Sequence, residues 1–529
     1  MDCCKSHNIP GIPVEVKSLD GSYSIMVYEK ESILDALMKA DTSYSAVCGG
    51  TGRCGKCKIK LLEGNLPVTE SDKQHFTDSE LENGLRLACR AFPEESVKVE
   101  LLFYKENDFE IVTEHAKNRT TSMRKQKGNF GIAVDIGTTT IAMQLISLDS
   151  GEIVETYTAL NRQRRFGADV IARIEAAVKG HQEELRELIR EDLKKGIHSL
   201  VREAGVFAET VTELAIAGNT TMIHLLMGFD CRGLGSYPFT PVNIKLIEST
   251  YEDVLGDTFL HANVRIMPAI SVFVGGDIVS GLYEQDIDCD KEYSLLIDFG
   301  TNGEMALGNK ERLLVTSTAA GPAFEGGNIR YGVGSVKGAI VGVTIVDSGT
   351  EVRTIADEAP IGICGTGVIE AVAELLRLGL VDETGCMDDF YFEDGYPLAE
   401  AADGSTIYLT QKDIREIQLA KAAVRAGIET LFLRYGITKK EVSRVYLAGG
   451  FGFNLNCRKA VEIGLLPKEL EDKVEIIGNS SLSGTVKCLI ERDGWERVMK
   501  LAEGAQEITL SADQDFNRMY MECMGFEIR

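Results

Sequence analysis

Four cysteines near the start of the chain have the number and spacing of a metal-binding set. The stretch CGGTGRCGKC places Cys48, Cys54 and Cys57 in a C-x5-C-x2-C pattern, and Cys89 follows in LRLACRA. Glycines between the first three cysteines let the loop wrap closely, so that backbone N–H groups can approach the sulfur atoms. Four thiolates can hold an iron–sulfur cluster or a zinc ion. These residues therefore predict a thiolate metal site, with electron transfer as its chemistry if the metal is iron.

The surrounding elements favour a [2Fe–2S] cluster over zinc. Zinc ribbons usually present two C-x2-C pairs, and this region has one. VEVKSLDGSYSIMVY alternates apolar and polar residues on both sides of Asp20-Gly21, which predicts a β-hairpin, and SILDALMKA has helical spacing. The region resembles the ferredoxins, and its longer first cysteine gap resembles their adrenodoxin-like branch. We expect residues 1–103 to form an α+β, ferredoxin-like (β-grasp) domain. Its cluster ligands would be Cys48, Cys54, Cys57 and Cys89.

Two similar glycine turns lie farther along the chain. In AVDIGTTTIA an apolar strand pattern ends at Asp135, and IDFGTNGE repeats the arrangement with Asp298 in the matching place. Glycine lets backbone amides approach a phosphate, and an aspartate at a strand end can hold Mg²⁺ through water or orient an attacking water. Two copies predict a duplicated core that binds ATP with Mg²⁺. The first turn contains Gly137, Thr138, Thr139 and Thr140. The second contains Gly300, Thr301, Asn302, Gly303 and Glu304.

Three further loops are candidates for the same cleft. The strand pattern in VYLAGGFGFN ends in glycines, which suits close contact with adenosine; this loop contains Gly449, Gly450, Phe451 and Gly452. AGNTTMIHLL and VFVGGDIV either line the cleft or only cap helices. Their polar and glycine residues are Asn219, Thr220, Thr221, Gly275, Gly276 and Asp277. We assign the catalytic role to Asp135, Asp277, Asp298 and Glu304. His224 lies in an apolar helical pattern, which favours a core histidine over a ligand.

The rest of the chain predicts how these residues are positioned. Residues 104–128 are polar and have little periodicity, so we expect a flexible linker. From residue 129 to 529, strands alternate with amphipathic helices such as EELRELIREDLKKGIHSLVREAG. This alternation predicts an α/β ATPase with two lobes, roughly 129–290 and 291–529.

The bulk composition excludes several classes of partner. A formal net charge of −25 argues against nucleic acid and against anionic membranes. There is no run of 18 apolar residues that would predict a transmembrane helix, and MDCCKSHNIPGIP lacks the apolar segment of a signal peptide. With 13 cysteines and no sign of secretion, metal binding and reduced thiols are favoured over a disulfide framework. We therefore expect a cytoplasmic protein.

The three nucleotide loops together resemble the acetate kinase, sugar kinase, heat-shock chaperone and actin superfamily. The order of ferredoxin domain, linker and such an ATPase resembles the reductive activators of corrinoid proteins over nearly the whole chain. The most specific stretches are CGGTGRCGKC, AVDIGTTTIA, NRQRRFGADVIARI, AGNTTMIHLLMG, AAGPAFEGG and IQLAKAAVRAGIETL.

This resemblance implies a function and partners. One electron would pass uphill from the cluster to the Co(II) corrinoid of a methyltransferase-system protein, regenerating Co(I) with the help of ATP. An external low-potential reductant of the ferredoxin or flavodoxin type would load the cluster, and a homodimer is one possible assembly. Members of the family can carry an additional domain between linker and ATPase. Because only about 25 residues separate Phe103 from Phe130, we expect this chain to lack one.

Three other functions remain open at this point. The chain could donate electrons to another low-potential metalloenzyme, like the activators of 2-hydroxyacyl-CoA dehydratases, although those lack a ferredoxin domain. It could be a redox-regulated small-molecule kinase. It could also be a binding module in which ATP switches the affinity for a partner and the cluster is structural.

Overall fold

The chain folds into two compact units. The first contains Met1–Asp108 and Arg162–Lys179, and the second contains Phe109–Asn161 and Gly180–Arg529. The computed structural model describes residues 11–18, 21–40, 50, 52, 55–102, 128–167, 169–300, 302–401, 404–450 and 455–526. The linker expected at 104–128 lies outside the described residues except for Gly128.

The first unit is built on a five-stranded sheet with strand order β2-β1-β5-β3-β4. Its elements are β1 (Ile12–Ser18), β2 (Gly21–Val27), α1 (Ile33–Ala40), β3 (Lys58–Glu63), α2 (Glu70–His75), α3 (Asp78–Glu82), β4 (Leu85–Leu87), β5 (Val97–Leu101) and α4 (Val170–Ala176). β1 and β2 form the predicted antiparallel hairpin, and β1 pairs with β5 in parallel. Alternate strand residues and one face of α1 form a single core, which includes Val14, Val16, Ile25, Leu37, Ile59 and Leu87. This is the predicted ferredoxin-like arrangement.

The second unit contains two six-stranded sheets. The first sheet has the order β10-β11-β9-β6-β7-β8. The elements of this half are β6 (Phe130–Ile136), β7 (Thr140–Ser147), β8 (Ile153–Leu160), α5 (Gln182–Ala204), β9 (Val211–Gly218), α6 (Thr220–Met227), β10 (Ile247–Thr250), α7 (Tyr251–Leu255), β11 (Asn263–Ile266) and α8 (Gly276–Glu284). β6 pairs with β7 in antiparallel and with β9 in parallel, so the ends of β6 and β9 lie next to each other.

The second half repeats this plan with additions. Its elements are β12 (Tyr293–Phe299), β13 (Gly303–Gly308), β14 (Leu313–Thr318), β15 (Ala339–Val346), β16 (Gly349–Thr354), β17 (Gly362–Ile363), α9 (Gly365–Arg377), β18 (Tyr396–Glu400), β19 (Thr406–Leu409), α10 (Gln411–Tyr435), β20 (Val442–Ala448), α11 (Cys457–Glu462), β21 (Val474–Gly478), α12 (Ser480–Ile490), α13 (Gly494–Gly504), β22 (Gln506–Glu507) and α14 (Gln514–Glu522). The second large sheet has the order β21-β20-β12-β13-β14-β22, so β12, β13, β14 and β20 correspond to β6, β7, β8 and β9. The two small sheets are additions to the repeated plan.

Local signals explain where the longest helix begins and ends. Thr410 caps α10: its side chain accepts from the backbone N–H of Asp413, whose carboxylate in turn accepts from the Thr410 N–H. Gly436 ends the helix in the left-handed region, at φ +85°. Among the helices that the structure describes, none is both long and apolar enough to cross a membrane.

The two halves exchange one helix each. Ile278 and Leu282 of α8, from the first half, pack with Leu296 of the second sheet. Leu482 of α12, from the second half, packs with Ala133 and other residues of the first sheet. Each exchanged helix therefore belongs to one half of the duplication and packs with the other half. The fold class predicted from the sequence, an α+β ferredoxin-like domain with a duplicated α/β actin-like ATPase, is confirmed.

Candidate nucleotide and cluster sites

Four acidic residues lie close enough to influence one another electrostatically. Asp135 and Asp298 lie near the ends of the equivalent strands β6 and β12, and Glu304 of β13 lies opposite Asp298 in the sheet register. Asp277 lies in the first turn of the exchanged helix α8. All four residues are partly exposed. The structure thus brings together the four residues to which the sequence assigned catalysis.

Burial and mutual repulsion raise the pKa values of this group. Burial, followed by the charges of Asp135 and Asp298, raises the pKa of Asp277 to about 7. Burial and the charge of Asp135 raise the pKa of Asp298 to about 7. The pKa of Glu304 is raised well above its usual value, first by burial and then by Asp277 and Asp298. Concentrated negative charge of this kind, built from carboxylate oxygens, is the environment that a hydrated Mg²⁺ ion prefers.

The first phosphate turn is closed by one hydrogen bond of its own and is also held by hydrogen bonds from outside its hairpin. The Gly137 N–H donates to the Thr140 carbonyl (2.8 Å). The Asn161 side chain donates to the Gly137 carbonyl (2.9 Å), and the Asn161 N–H donates to the Thr139 carbonyl (3.0 Å). Asn219 donates to the Thr138 hydroxyl (3.0 Å). A Cβ at Gly137 would lie 2.7 Å from the Thr140 oxygen, so the turn requires glycine.

The second phosphate turn is tight in the same way. The Gly300 N–H donates to the Asn302 carbonyl (3.0 Å). A Cβ at Gly303 would lie 2.8 Å from the Thr318 hydroxyl oxygen. The Asn302 side chain donates to Glu304 and opposes the rise of its pKa. Thr301 lies outside the described residues.

The predicted adenosine loop begins directly beside Asp298. Gly449 has φ +89°, and a Cβ there would lie 2.4 Å from the Phe299 carbonyl oxygen and 2.7 Å from Asp298 Oδ1. Its N–H donates to the Gly478 carbonyl (3.0 Å). Gly450, in contrast, has room for a Cβ among the atoms that the structure describes. Phe451 and Gly452 lie outside the described residues.

Two residues that were absent from the predicted site hold the carboxylate of Asp135. Asn479 Nδ2 donates to Asp135 Oδ2 (2.8 Å), and Ser481 Oγ donates to Asp135 Oδ1 (2.7 Å). A signal for them exists in the sequence: GNSS at 478–481 matches GNTT at 218–221, and Asn219 and Asn479 both cap the helix that follows. Burial raises the pKa of Asp135, and the two hydrogen bonds oppose that rise.

The two remaining candidate loops, around Asn219 and Gly275, pack against each other. The Thr220 hydroxyl donates to the Ser271 carbonyl (2.6 Å), and a Cβ at Gly275 would lie 2.5 Å from the Asn219 Cα, so these two loops pack against each other. His224 is fully buried between the Thr220 carbonyl (2.8 Å) and the Val242 N–H (3.0 Å). Burial lowers its pKa, and the prediction of a core histidine is confirmed. The predicted Thr221 is buried in α6. Gly276 of α8 packs closely against Met267, which is possible because glycine has no side chain.

The described part of the cysteine loop fits an iron–sulfur cluster. Cys57 and Cys89 are both buried, and the Cys89 N–H points at the Cys57 sulfur (3.5 Å). Gly50, Gly52 and Gly55 have φ of +73°, +79° and +68°, which lets the loop wrap as predicted. Backbone N–H groups directed at thiolate sulfur are a feature that tunes such clusters. Cys48 and Cys54 lie outside the described residues.

One histidine fastens this loop to the rest of the unit. The His75 ring nitrogen Nε2 lies 2.9 Å from the Gly52 carbonyl oxygen. A Cβ at Gly55 would lie 2.8 Å from His75 Nδ1, so the loop and the imidazole are in close contact. The position of the cysteine loop therefore depends on α2, which carries His75.

Comparison with protein families accounts for both sites. A profile for a 2Fe-2S iron-sulfur cluster binding domain matches residues 18–94. A profile for the RACo middle region matches 130–290, and one for the C-terminal domain of RACo, the ASKHA domain, matches 292–528. The chain is also 32% identical over 421 residues to the corrinoid activation enzyme RamQ of Eubacterium limosum, covering 76% of this chain and 71% of that protein. The chain belongs to the family of reductive activators of corrinoid proteins.

Two further relatives agree with this assignment. The [Co(II) methylated amine-specific corrinoid protein] reductase of Methanosarcina barkeri is 26% identical over 425 residues, which is 74% of this chain and 76% of that protein. A solved structure described as a reductive activator for corrinoid, iron-sulfur protein superposes with a TM-score of 0.69 at 29% identity. The match covers 97% of this chain and 98% of that chain.

Membership in this family confirms the cofactors. The cofactors are a [2Fe–2S] cluster and ATP with Mg²⁺, so the zinc alternative is excluded. The chain is an enzyme of the corrinoid-activating type. The profile for the family's middle region matches residues 130–290, which contain the first six-stranded sheet of the ATPase core. The expectation that no additional domain lies between the linker and the ATPase stays a prediction.

Proposed function

We propose that this protein is an ATP-hydrolysing iron–sulfur reductase that transfers one electron to the Co(II) corrinoid of a methyltransferase-system corrinoid protein, and so regenerates Co(I). The observation that carries the proposal is the pair of sites in one chain of this family. One is a buried cysteine pair, Cys57 in the glycine loop and Cys89 after β4, and the other is a group of four interacting carboxylates in a duplicated ATPase core. The relatives' names, which describe corrinoid activation and Co(II) corrinoid protein reduction, support the choice of substrate.

On the electron-transfer side, the protein holds and tunes the cluster. Bound through Cys48, Cys54, Cys57 and Cys89, a [2Fe–2S] cluster supplies one electron at a time at low potential. The Cys89 N–H lies against the Cys57 sulfur, so it stabilises negative charge there. An external reductant of the ferredoxin or flavodoxin type reloads the site after each transfer.

On the nucleotide side, the two glycine turns and the carboxylates divide the work. Backbone N–H groups and hydroxyls of residues 137–140 and 300–303 bind the phosphates, and Gly449 to Gly452 accommodate adenosine. Bound Mg²⁺ supplies positive charge that neutralises the phosphates and polarises them. Asp298, Asp277 and Glu304 hold the hydrated ion by their concentrated charge, while Asp135 orients a water molecule in the same cleft. The proposal also includes a homodimer as the assembly of the protein.

The energy that ATP must supply is of a suitable size. For a one-electron step each 59 mV changes the equilibrium constant about tenfold. If the reduction potential of the Co(II)/Co(I) couple lies about 0.1 to 0.2 V below that of the cluster, electron transfer costs on the order of 2 to 5 kcal/mol. A ligand that moves a two-state equilibrium from one extreme to the other must provide about 5.5 kcal/mol of differential affinity. The two magnitudes match, and we propose that cleft closure on ATP biases the complex with the corrinoid protein towards electron transfer.

The test is a cobalt reduction assay with two variants. Anaerobically purified protein is mixed with a Co(II) corrinoid protein, a low-potential reductant, Mg²⁺ and ATP, and the cobalt absorption spectrum is followed. The wild-type protein should form Co(I) only when ATP is present. Asp298→Ala should abolish ATP turnover while the cluster spectrum stays intact, and Cys89→Ser should lose the cluster while ATP turnover remains.

Other outcomes would refute parts of the proposal. Unchanged ATP turnover in Asp298→Ala would contradict the phosphate and metal assignment. Failure to reduce any of several corrinoid proteins, despite a reducible cluster and active ATP turnover, would point to a different electron acceptor.

A further inference from the structure

Asp135 differs from its counterpart Asp298 in what surrounds its carboxylate. Each oxygen of Asp135 accepts a hydrogen bond from a neutral donor, Oδ1 from the Ser481 hydroxyl (2.7 Å) and Oδ2 from the Asn479 amide (2.8 Å). Asp298 occupies the equivalent strand end, and its electrostatic neighbours include Asp277 and Glu304. The duplication has therefore become asymmetric at its two central aspartates.

The two donors lie on an element with a fixed position. Both belong to the start of α12, which comes from the second half of the duplication and packs on the first sheet through Leu482. The Ser481 carbonyl accepts from the hydroxyls of Ser280 (2.7 Å) and Thr485 (2.7 Å). Since Ser280 belongs to α8, the two exchanged helices are tied together at this point, and the donors cannot drift away from Asp135.

Neutral donors have a particular consequence in an acidic site. A lysine or arginine at either position would orient the carboxylate but would also neutralise its charge. An amide and a hydroxyl fix the plane of the carboxylate and leave its negative charge in place. In a group of four carboxylates, Asp135 would otherwise be free to rotate away from its neighbours.

We infer that Asn479 and Ser481 are positioning residues for ATP turnover: they lock the orientation of the Asp135 carboxylate and preserve its charge, so that it can orient a water molecule in the nucleotide cleft. The inference rests on the proposed function. It assigns a role to the GNSS segment, which belongs to none of the motifs recognised in the sequence.

The decisive variant is Asn479→Asp, because it separates the two roles of this side chain. Asn479 Oδ1 accepts from the Leu482 N–H (2.8 Å) and caps α12, and an aspartate caps a helix equally well. The aspartate, however, replaces the donor to Asp135 by a second carboxylate. Ser481→Ala removes the other donor, and Ser481→Thr restores a hydroxyl.

A matched control makes the same chemical change elsewhere. The Asn263 amide donates to the Glu213 carboxylate (3.0 Å) at an exposed site. Glu213 lies near the start of β9, whereas the nucleotide site lies at the end of that strand. Asn263→Asp therefore also places a carboxylate against a carboxylate, but away from the nucleotide site.

The measurements are kcat and KM for ATP, together with the midpoint of thermal unfolding, on the full-length protein. A lost hydrogen bond to a charged group predicts that kcat falls about 10- to 100-fold in Asn479→Asp and in Ser481→Ala. In Asn479→Asp the helix cap is retained, so the protein should still fold and its KM for ATP should remain close to wild type. The added carboxylate beside Asp135 should lower the thermal midpoint of the nucleotide-free protein by only a few degrees. Ser481→Thr should recover most of the activity, and Asn263→Asp should behave as wild type.

Each contrary outcome has one meaning. A kcat in Asn479→Asp within about threefold of wild type would overturn the inference, as would a loss of activity matched by a collapse of the thermal midpoint. If Ser481→Ala does not fold, Asn479→Asp still decides the question. Absence of ATP turnover in the wild-type protein would refute the proposed function, and the inference with it, whereas normal turnover in Asn479→Asp refutes the inference alone.

Discussion

Replacing Asp298 by asparagine should stabilise the nucleotide-free protein while abolishing its ATP turnover. The change keeps the shape of the side chain and removes one charge from the carboxylate group. Without nucleotide and Mg²⁺, that charge is a burden, because Asp298 raises the pKa of both Asp277 and Glu304. With nucleotide and Mg²⁺, the same charge is what the site requires. The variant should therefore be more stable than the wild type without nucleotide and should lack ATP turnover.

The magnitude follows from the pKa of Asp298, which is raised from 3.8 to about 7, first by burial and then by Asp135. One pKa unit corresponds to about 1.4 kcal/mol, so the full penalty for ionised Asp298 is about 4 kcal/mol. The side chain is partly exposed, so solvent screening reduces this figure to about 2 kcal/mol. The unmet hydrogen bonds of an asparagine subtract from the gain.

The dependence on pH has a definite sign. The folded state holds the proton of Asp298 more tightly than the unfolded state does, so this residue costs increasing stability as pH rises from 3.8 to about 7. The gain from Asp298→Asn should consequently be larger at pH 8 than at pH 5.5. The window between pH 5.5 and 7 corresponds to about 2 kcal/mol before screening and about 1 kcal/mol after it.

The assay is thermal unfolding of nucleotide-free protein at pH 5.5 and pH 8, followed by circular dichroism. We expect the midpoint of Asp298→Asn to exceed that of wild type by about 1 °C more at pH 8 than at pH 5.5. Addition of Mg²⁺ and ATP should raise the midpoint of the wild type and leave the variant unchanged. Asp389→Asn, at an exposed position, is the control. Equal destabilisation of Asp298→Asn at both pH values would refute the electrostatic reasoning.

Two further predictions concern the loops. Gly449→Ala should lower both stability and ATP affinity by about 2 kcal/mol or more, because its Cβ would meet the Phe299 carbonyl and Asp298 at positive φ. Gly450→Ala should be tolerated, because there is room for its Cβ. Nucleotide titration and thermal unfolding of the two variants test this, and equal effects of the two changes would contradict it. Cys89→Ser should abolish the visible absorption of the cluster, whereas Cys231→Ser, at a buried cysteine without ligand spacing, should retain it; retained absorption in Cys89→Ser would exclude Cys89 as a ligand.

The parts of this protein that sequence could predict are those whose chemistry is local. Glycine turns after apolar strands reveal themselves within a few residues, so Asp135, Asp298 and their neighbours could be identified before the fold was known. The same holds for Cys48, Cys54 and Cys57, whose C-x5-C-x2-C spacing indicates a thiolate site. Periodicity predicted the hairpin of the ferredoxin-like domain and the long amphipathic helices.

The missed residues depend on contacts across the chain. Asn479 lies 344 positions after Asp135, and its role exists only because α12 crosses to the first sheet. Asn161 was also missed: its side chain donates to the carbonyl of Gly137, 24 positions earlier in the chain. No local pattern encodes such contacts, although the resemblance between GNSS and GNTT was a usable hint.

The expectation that no additional domain lies between the linker and the ATPase stays a prediction. It was drawn from the short distance between Phe103 and Phe130, and the profile for the family's middle region begins at residue 130. This region contains one half of a duplicated fold, and a helix from the other half packs on its sheet. Residue counts between motifs cannot reveal a division of that kind.

The most direct test of the central claim is a single-turnover experiment without external reductant. The protein is reduced in advance, freed of reductant, and mixed anaerobically with excess Co(II) corrinoid protein, with and without Mg²⁺ and ATP, while cluster and cobalt absorption are recorded together. We predict that one Co(I) appears for each cluster oxidised, and only when ATP is present. Formation of Co(I) to the same extent without ATP, or a cluster that stays reduced while ATP is consumed, would contradict the account.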